Sequence, residues 1–261
     1  MTRREREIVG KLRHLSGWKK DCPDHRDKKF AVSFTTFFTL PKKSSVRGQP
    51  GLRVEDQTTI GSCTCNSGTT AEEFALKKSG VDIQLSRLWA YVQVRKLEGT
   101  PLTEDSGAQI RNVMKVLAKI GCPPEASWPH DVSKLSVDPP AALLAEAATH
   151  QVQLYYNCGS LRAIKASIAQ GFPVVGGFAV PENMFSTECT KTGVIQHPTS
   201  TEGFEGGHAV LFTGYDDSTQ LLEFLNSWSE GWGNGGYGYL PYSFVKEGLA
   251  TDFWTIRRVE T

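Results

Sequence analysis

The 261-residue chain has no long hydrophobic run, because no window approaches the roughly 18 consecutive apolar residues of a membrane span. Its first residues lack the apolar core of a secretory signal. We therefore expect the chain to stay where it is made, in the cytoplasm by default, unless a leader has been removed. The net charge is only +1, which excludes a global basic field of the kind that attracts nucleic acid or anionic membrane.

The cysteines form no CxxC pair, and six in a chain of this length do not require a disulfide scaffold. Cys63 and Cys65 form a CxC, but no second Cys/His pair at zinc-like spacing accompanies it. We therefore predict neither a metal site nor a cofactor. The remaining cysteines have no partner that the sequence can assign: Cys22, Cys122, Cys158 and Cys189.

Helical patterns come first in the chain and strand patterns later, which predicts an α+β fold with two packed halves. After a Pro-, Gly- and Ser-containing connector over residues 41–53, the pattern predicts helices over 64–78, 85–96 and 108–120. Runs rich in β-branched and aromatic residues then predict strands, with one helix over 161–170 between them. The predicted strands cover residues 152–156, 173–180, 208–216, 221–227, 237–240 and 253–259.

Cys63 follows Gly61-Ser62 at the predicted start of a helix, six residues after Gln57. A thiol at this position feels the positive end of the helix dipole, which favours the thiolate. An amide donor nearby could stabilise the oxyanion that forms when the thiolate attacks a carbonyl. This segment alone is only suggestive.

A histidine and an asparagine supply the other parts of such a site. His208 begins one apolar strand, and Asn226 ends the next. Because the turn at residues 216–218 joins the two strands, hairpin pairing brings His208 and Asn226 side by side. An amide there could orient an imidazole that accepts a proton from a thiol. A lone histidine in this position would more often be structural.

Taken together, these segments resemble the papain-like cysteine peptidase family. The order Cys63, His208, Asn226 matches, as does the glycine-rich run from Gly231 to Tyr237, and the resemblance extends from about residue 40 to the end. Several shorter segments, EDSGAQIR among them, are similar to the bacterial branch of the family. The resemblance implies a two-lobed fold with a helical lobe, a lobe of antiparallel β-sheet or barrel, and the site in the cleft between them.

The resemblance also implies roles for individual residues. Cys63 would be the nucleophile, His208 the base and then the acid, and Asn226 the residue that orients His208. Gln57 and the N–H of Cys63 would form the oxyanion hole. The residues expected to bind substrate are Gly107, Ala108, Ala209, Trp228 and Asp252, with Trp228 also shielding the Asn226–His208 bond.

Two positions depart from the family pattern. The family's cysteine three residues before the nucleophile is Ile60 here, so its usual disulfide is absent, and the aromatic residue after the nucleophile is Thr64. Neither change removes a catalytic group. Cys65 is a less suitable nucleophile than Cys63, because two residues along a helix it points about 200° away. We expect it to be a small buried side chain.

Two regions leave alternatives open. Asp252 would lie at the floor of the S2 pocket and favour Arg or Lys at P2, or it caps or pairs with another group. Residues 1–39 would form a pro-segment-like arm across the cleft, or an arm that simply packs on the peptidase domain of residues 40–261.

The sequence thus predicts a monomeric cysteine peptidase that acts on peptide or protein substrates through a covalent acyl-enzyme, with no nucleic-acid partner. An acyltransferase or transpeptidase with the same triad is the first alternative, because the triad determines acyl transfer and not the acceptor. A catalytically retired homologue that binds peptides is the second.

Overall fold

The computed structural model describes residues 17–32 and 39–260. Residues 1–16 and 33–38 of the predicted arm lie outside the described residues, as does Thr261. In the part of the chain that is described, no helix is long and apolar enough to cross a membrane.

Helices dominate the first half of the chain. The three long ones are α1 (Cys63–Lys78), α2 (Arg87–Leu97) and α3 (Ile110–Lys119), close to the predicted ranges. Ser86 caps α2 by accepting the N–H of Trp89, as expected of a serine at this position. Shorter helices follow in the second half: α4 (Leu143–Ala147), α5 (Leu161–Ala169), α6 (Thr187–Thr192) and α7 (Tyr242–Lys246).

A seven-stranded sheet forms most of the second half, and its long strands match the predicted ones. Two short strands, β1 (Trp18–Lys19) and β3 (Ala108–Gln109), pair with each other outside it, in parallel. The strands of the sheet are β2 (Lys43–Ser45), β4 (Val152–Asn157), β5 (Val174–Pro181), β6 (Phe204–Asp216), β7 (Leu221–Leu225), β8 (Tyr237–Pro241) and β9 (Ala250–Val259). They have the order β4-β9-β5-β6-β7-β8, with β2 also paired to β6, and all pairs are antiparallel.

Two details differ from the sequence-based expectations, and a third decides between the expected sheet and the expected barrel. The connector over residues 41–53 contains β2, which pairs with the distal end of β6. Residues 108–109 form β3 instead of the first turn of a helix, so α3 begins at Ile110. The sheet is open, with β4 and β8 at its edges, and is not a closed barrel.

Two hydrophobic cores hold the molecule together. One lies between α1, α2, α3 and the inner face of the sheet, and includes the predicted stripe of Ile110, Val113, Met114 and Leu117. The other is enclosed by the sheet, α5, α6 and α7, and is rich in aromatic side chains. Cys63 and Ala209 both belong to the first core, where the N-terminal end of α1 meets β6. The cleft between the halves therefore begins at Cys63.

Glu72 is a buried carboxylate of α1 for which the described residues provide no hydrogen-bond partner. Burial raises the pKa of Glu72 well above its ordinary value of 4.5, with a smaller contribution from Glu73. The folded protein therefore keeps a proton that the unfolded chain releases above about pH 4.5, so this residue makes the protein less stable as pH rises.

We expect Glu72→Met to raise the free energy of unfolding at pH 8 by about 1–3 kcal/mol, because it removes the cost of burying an unpaired polar group. The gain should be smaller at pH 5. Glu73→Met is the matched control, since Glu73 accepts the N–H of Leu85 at 2.8 Å and its replacement should destabilise. Thermal unfolding of both variants at pH 5 and pH 8 measures these changes in stability. A lower midpoint for Glu72→Met at both pH values would contradict the interpretation.

Candidate active site

Cys63 is the first residue of α1, and its preceding residue Ser62 makes no side-chain cap bond. The thiol is completely buried, which raises its pKa to about 11. The backbone N–H groups of Ala209 and Gly17 oppose this rise. The first residue of α1, Ala209 of β6 and Gly17 of the arm therefore meet at this sulfur.

His208 and Asn226 lie side by side on the predicted hairpin of β6 and β7, where Leu211 pairs with Leu225. The Nε2 atom of His208 is 2.8 Å from Oδ1 of Asn226. That same oxygen accepts the backbone N–H of Ser227 at 2.9 Å. Because a backbone N–H can only donate, the bond to Ser227 fixes which end of the amide faces the imidazole. His208 therefore carries its proton on Nε2.

The second ring nitrogen of His208, Nδ1, has no hydrogen-bond partner among the described residues. It is thus the nitrogen that remains to exchange a proton. Burial lowers the pKa of His208 to about 4, and the bond to Asn226 partly opposes the shift. In this arrangement both the thiol and the imidazole are neutral.

Aromatic rings enclose the imidazole. The Trp228 ring lies over His208 with 4.7 Å between centroids and an interplanar angle of 31°, and Phe178 meets it edge-on at 5.9 Å. Phe185 stacks on the outer face of Trp228. Trp228 thus packs on the imidazole that is bonded to Asn226, and its expected shielding role stays a prediction.

Gln57 is completely buried and its amide is held at both ends. Its Nε2 donates to the carbonyl of Ile60 at 2.9 Å, and its Oε1 accepts the hydroxyl of Ser227 at 2.7 Å. Its backbone N–H donates to the carbonyl of Ser227. The loop before Cys63 is thereby joined to the residue that follows Asn226.

The described part of the N-terminal arm, which begins at Gly17, lies in the cleft beside these residues. The carbonyl of Gly17 accepts the N–H of Ala108 at 2.8 Å, within the pairing of β1 with β3. The approach is close, because a Cβ on Gly17 would be 1.9 Å from the carbonyl oxygen of Gly61, and one on Gly107 would be 2.3 Å from that of Gly17. The expected substrate-binding residues Gly107 and Ala108 therefore contact the arm in this structure.

Trp18 fills a depression between β5, β6 and β9. A Cβ on Gly177 would lie 2.2 Å from its indole ring, and one on Gly207 would lie 2.6 Å away. The indole N–H donates to the carboxylate of Asp252 at 3.1 Å. Asp252 itself has a positive φ of 60° at an irregularity in the pairing of β9 with β5. The glycines thus make room for a large flat side chain with a donor group at its tip.

A second carboxylate anchors the arm next to Trp18. Asp21 accepts the indole N–H of Trp254 at 3.0 Å and the backbone N–H of Arg111 at 3.1 Å, while its own N–H donates to Asp252 at 2.7 Å. The guanidinium of Arg111 is engaged with Asp27 instead. Burial, followed by the nearby charge of Asp252, raises the pKa of Asp21 from 3.8 to about 6.

Sequence reasoning did not find Trp18 or Asp21 as parts of the site. The only signal was a tryptophan after a glycine within a strongly charged segment. The residues it did select lie around one cleft: Cys63, His208, Asn226 and Gln57 at its centre, Trp228 on one side, and Gly107, Ala108, Ala209 and Asp252 on the side occupied by the arm. Cys65 is buried in the first core, away from solvent.

Comparison with known proteins shows the family of the chain. Residues 40–251 match the family described as papain family cysteine protease. The chain belongs to this family. An uncharacterized peptidase C1-like protein of Acanthamoeba polyphaga mimivirus is 34% identical over 93% of this chain and 86% of its own length.

Among solved structures, xylellain, a cysteine protease from Xylella fastidiosa, is 33% identical and covers 94% of this chain and 96% of its own, with a TM-score of 0.86. A procathepsin B from Trypanosoma congolense shares the fold at 16% identity and a TM-score of 0.75, covering 97% of this chain and 89% of its own. This papain-family chain is therefore a cysteine-type peptidase with the α+β fold of its relatives.

Proposed function

We propose that this cysteine peptidase hydrolyses peptide bonds through a triad of Cys63, His208 and Asn226, and that residues 17–21 limit access to its cleft. The observation that carries the proposal is the fixed amide of Asn226. Because Ser227 holds Oδ1 toward the imidazole, Nε2 of His208 is protonated and Nδ1 is able to accept the proton of Cys63.

The reaction follows from these positions. Cys63 transfers its proton to His208 and its sulfur bonds to the scissile carbonyl carbon, so that negative charge develops on the carbonyl oxygen. The amide of Gln57 and the N–H groups at the start of α1 stabilise this oxyanion. His208 then protonates the leaving amine as the C–N bond breaks, which leaves a thioester on Cys63.

Water completes the cycle. His208 removes a proton from a water molecule that attacks the thioester carbon, the S–C bond breaks, and the released acid leaves a protonated thiol. Trp228 keeps solvent from competing for the bond between His208 and Asn226. Ala209 contributes its N–H beside the sulfur, and Gly107 with Ala108 forms the rim that pairs with the substrate backbone.

The arm suppresses this chemistry in two ways. Gly17 and Trp18 occupy space that substrate would need. Gly17 also lies against the sulfur of Cys63, in a site where burial raises the pKa of the thiol and lowers that of the imidazole, so the ion pair does not form. Release of the arm would admit water and bring the two pKa values together.

An acyltransferase is the second candidate, because the same thioester can be attacked by an amine. The aromatic enclosure around His208 is compatible with either acceptor. Product analysis with an added amine separates the two activities. The predicted monomeric state and the absence of a nucleic-acid partner stay predictions.

We expect Cys63→Ala to abolish hydrolysis of a fluorogenic peptide, because Cys65, the other thiol in the first turn of α1, points about 200° away around the helix. Cys65→Ala, two residues along the same helix, is the matched control and should keep the activity of the parent. Turnover by both variants, with circular dichroism to verify folding, tests the nucleophile. Undiminished hydrolysis by Cys63→Ala would refute the proposal.

We expect Trp18→Ala in the full chain to raise kcat/KM by at least about tenfold, because Trp18 is the large apolar side chain that the arm places in the depression between β5, β6 and β9. The ratio of kcat/KM for this variant to kcat/KM for the native chain should depend on pH. Docking of the arm raises the pKa of Asp21 to about 6, so the docked state is favoured at low pH and weakens as pH rises from about 4 through 6.

The ratio of native to Trp18→Ala activity should therefore rise between pH 4 and pH 7, and Asp21→Asn should flatten it. The charged groups around Asp21 are Asp252 on β9, Lys20 on the arm and Arg111 on α3, whose guanidinium already pairs with Asp27. A ratio that is constant or falls with pH would contradict the proton-linked docking.

We expect Asp252 to select Arg or Lys at P2 once Trp18 has left its depression. In the Trp18→Ala chain, Asp252→Asn should lower kcat/KM for Arg at P2 by roughly tenfold relative to Phe at P2, because it removes a charge-assisted hydrogen bond. Asparagine tolerates the positive φ at this position, so the backbone is kept. Equal rates for both peptides, unchanged by the substitution, would refute the assignment.

A further inference from the structure

Asp105 lies on the loop between α2 and β3, outside the residues that the mechanism uses. Its carboxylate accepts the backbone N–H of Gly61, at 2.8 Å from Oδ2 and 3.1 Å from Oδ1. Its Oδ1 also accepts the hydroxyl of Tyr91 at 2.6 Å. Since Gly61 is two residues before Cys63, this carboxylate holds the segment that leads into the nucleophile.

The hydroxyl of Tyr91 extends the contact to the residue that precedes β3. It accepts the backbone N–H of Gly107 at 2.8 Å. Tyr91 is completely buried in the first core, and the guanidinium of Arg95 lies 4.6 Å from its ring centroid. Burial, with the adjacent charge of Asp105, raises the pKa of Tyr91, so the hydroxyl stays protonated and donates to Asp105.

These contacts make one continuous chain of hydrogen bonds from Gly107 through Tyr91 and Asp105 to Gly61. All six cysteines lie within the described residues and all are free, so no disulfide ties the two loops together. Gly107 has a positive φ of 67°, and the arm passes between it and Gly61. The hydrogen-bonded chain is thus a direct connection between the nucleophile loop and the rim.

We propose that Asp105 is a positioning residue which, together with Tyr91, sets the spacing between the nucleophile loop and the rim that pairs with substrate. The proposal rests on the assignment of Cys63 as nucleophile and of Gly107 with Ala108 as the rim. Asp105 affects only the geometry of the site, because its side chain contacts neither of the two reacting atoms. A displacement of about 1 Å between such elements is enough to lower the rate of an enzyme by a large factor.

Asp105→Ala and Asp105→Asn separate positioning from charge. The alanine loses both acceptor contacts. The asparagine keeps Oδ1, which already accepts from both Gly61 and Tyr91, and loses Oδ2, the closer acceptor of Gly61, so it should restore most but not all of the connection. Glu104→Ala is the matched control, because it removes an exposed carboxylate from the adjacent position and leaves the connection in place.

The substitutions are made in the full chain, both with Trp18 and with Trp18→Ala, so that effects on arm release are separated from effects on turnover. In the Trp18→Ala chain we expect kcat/KM to fall about tenfold for Asp105→Ala, to stay within about threefold for Asp105→Asn, and not to change for Glu104→Ala. Tyr91→Phe should match Asp105→Ala, and the double variant should be no worse than the more impaired single one.

Thermal unfolding of each variant accompanies the kinetics. Should Asp105→Ala fail to fold, Tyr91→Phe carries the test, since it keeps the ring and removes only the hydroxyl. The proposal is overturned if Asp105→Ala, or Tyr91→Phe in its place, stays within twofold of its parent. It is also overturned if Asp105→Asn is as impaired as Asp105→Ala, or if the loss occurs only with Trp18 present. Loss of activity in Cys63→Ala, measured alongside, keeps these outcomes distinct from a failure of the proposed function.

Discussion

The packing of helix α1 against strand β6 is the constraint on which the candidate site depends. Cys63 begins the helix, and Ala209 follows His208 on the strand, so contact between the two elements in the first core brings thiol and imidazole to one cleft. The hairpin of β6 and β7 then adds Asn226 to the same point. Cys63 and His208 are carried by regular elements of the core, and Asn226 directly follows the last residue of β7.

The arm uses the same cleft with different chemistry. Its contacts combine one large apolar side chain, Trp18, with hydrogen bonds that converge on the two carboxylates Asp21 and Asp252. Burying two carboxylates together costs free energy unless a proton is taken up, which makes such an anchor reversible. In this account Asp252 would contact the P2 side chain of a substrate, and the same carboxylate also holds the arm. Asp252 therefore contributes both to latency and to specificity.

Much of the fold followed from local patterns. The 3.6-residue stripe predicted α3, the alternation and turn signals predicted the hairpin of β6 and β7, and the segment before Cys63 predicted the start of α1. The features that local patterns did not predict depend on partners that are distant in the sequence. Trp18 meets Asp252 across 234 positions of sequence, and β2 forms in a serine- and glycine-rich connector only because the edge of β6 is there to pair with. No local pattern encodes such contacts.

Site-mapped labelling by a thiol-directed epoxide tests the central claim most directly, namely that a triad cysteine lies beneath the arm. All six cysteines are free and Cys22 alone is exposed, so each modified position can be identified by peptide mass spectrometry. The account predicts slow labelling of Cys63 in the native full chain, much faster labelling of Cys63 in Trp18→Ala, and no change at Cys65. Equal rates at Cys63 in the two chains, or preferential labelling of another buried cysteine, would contradict it.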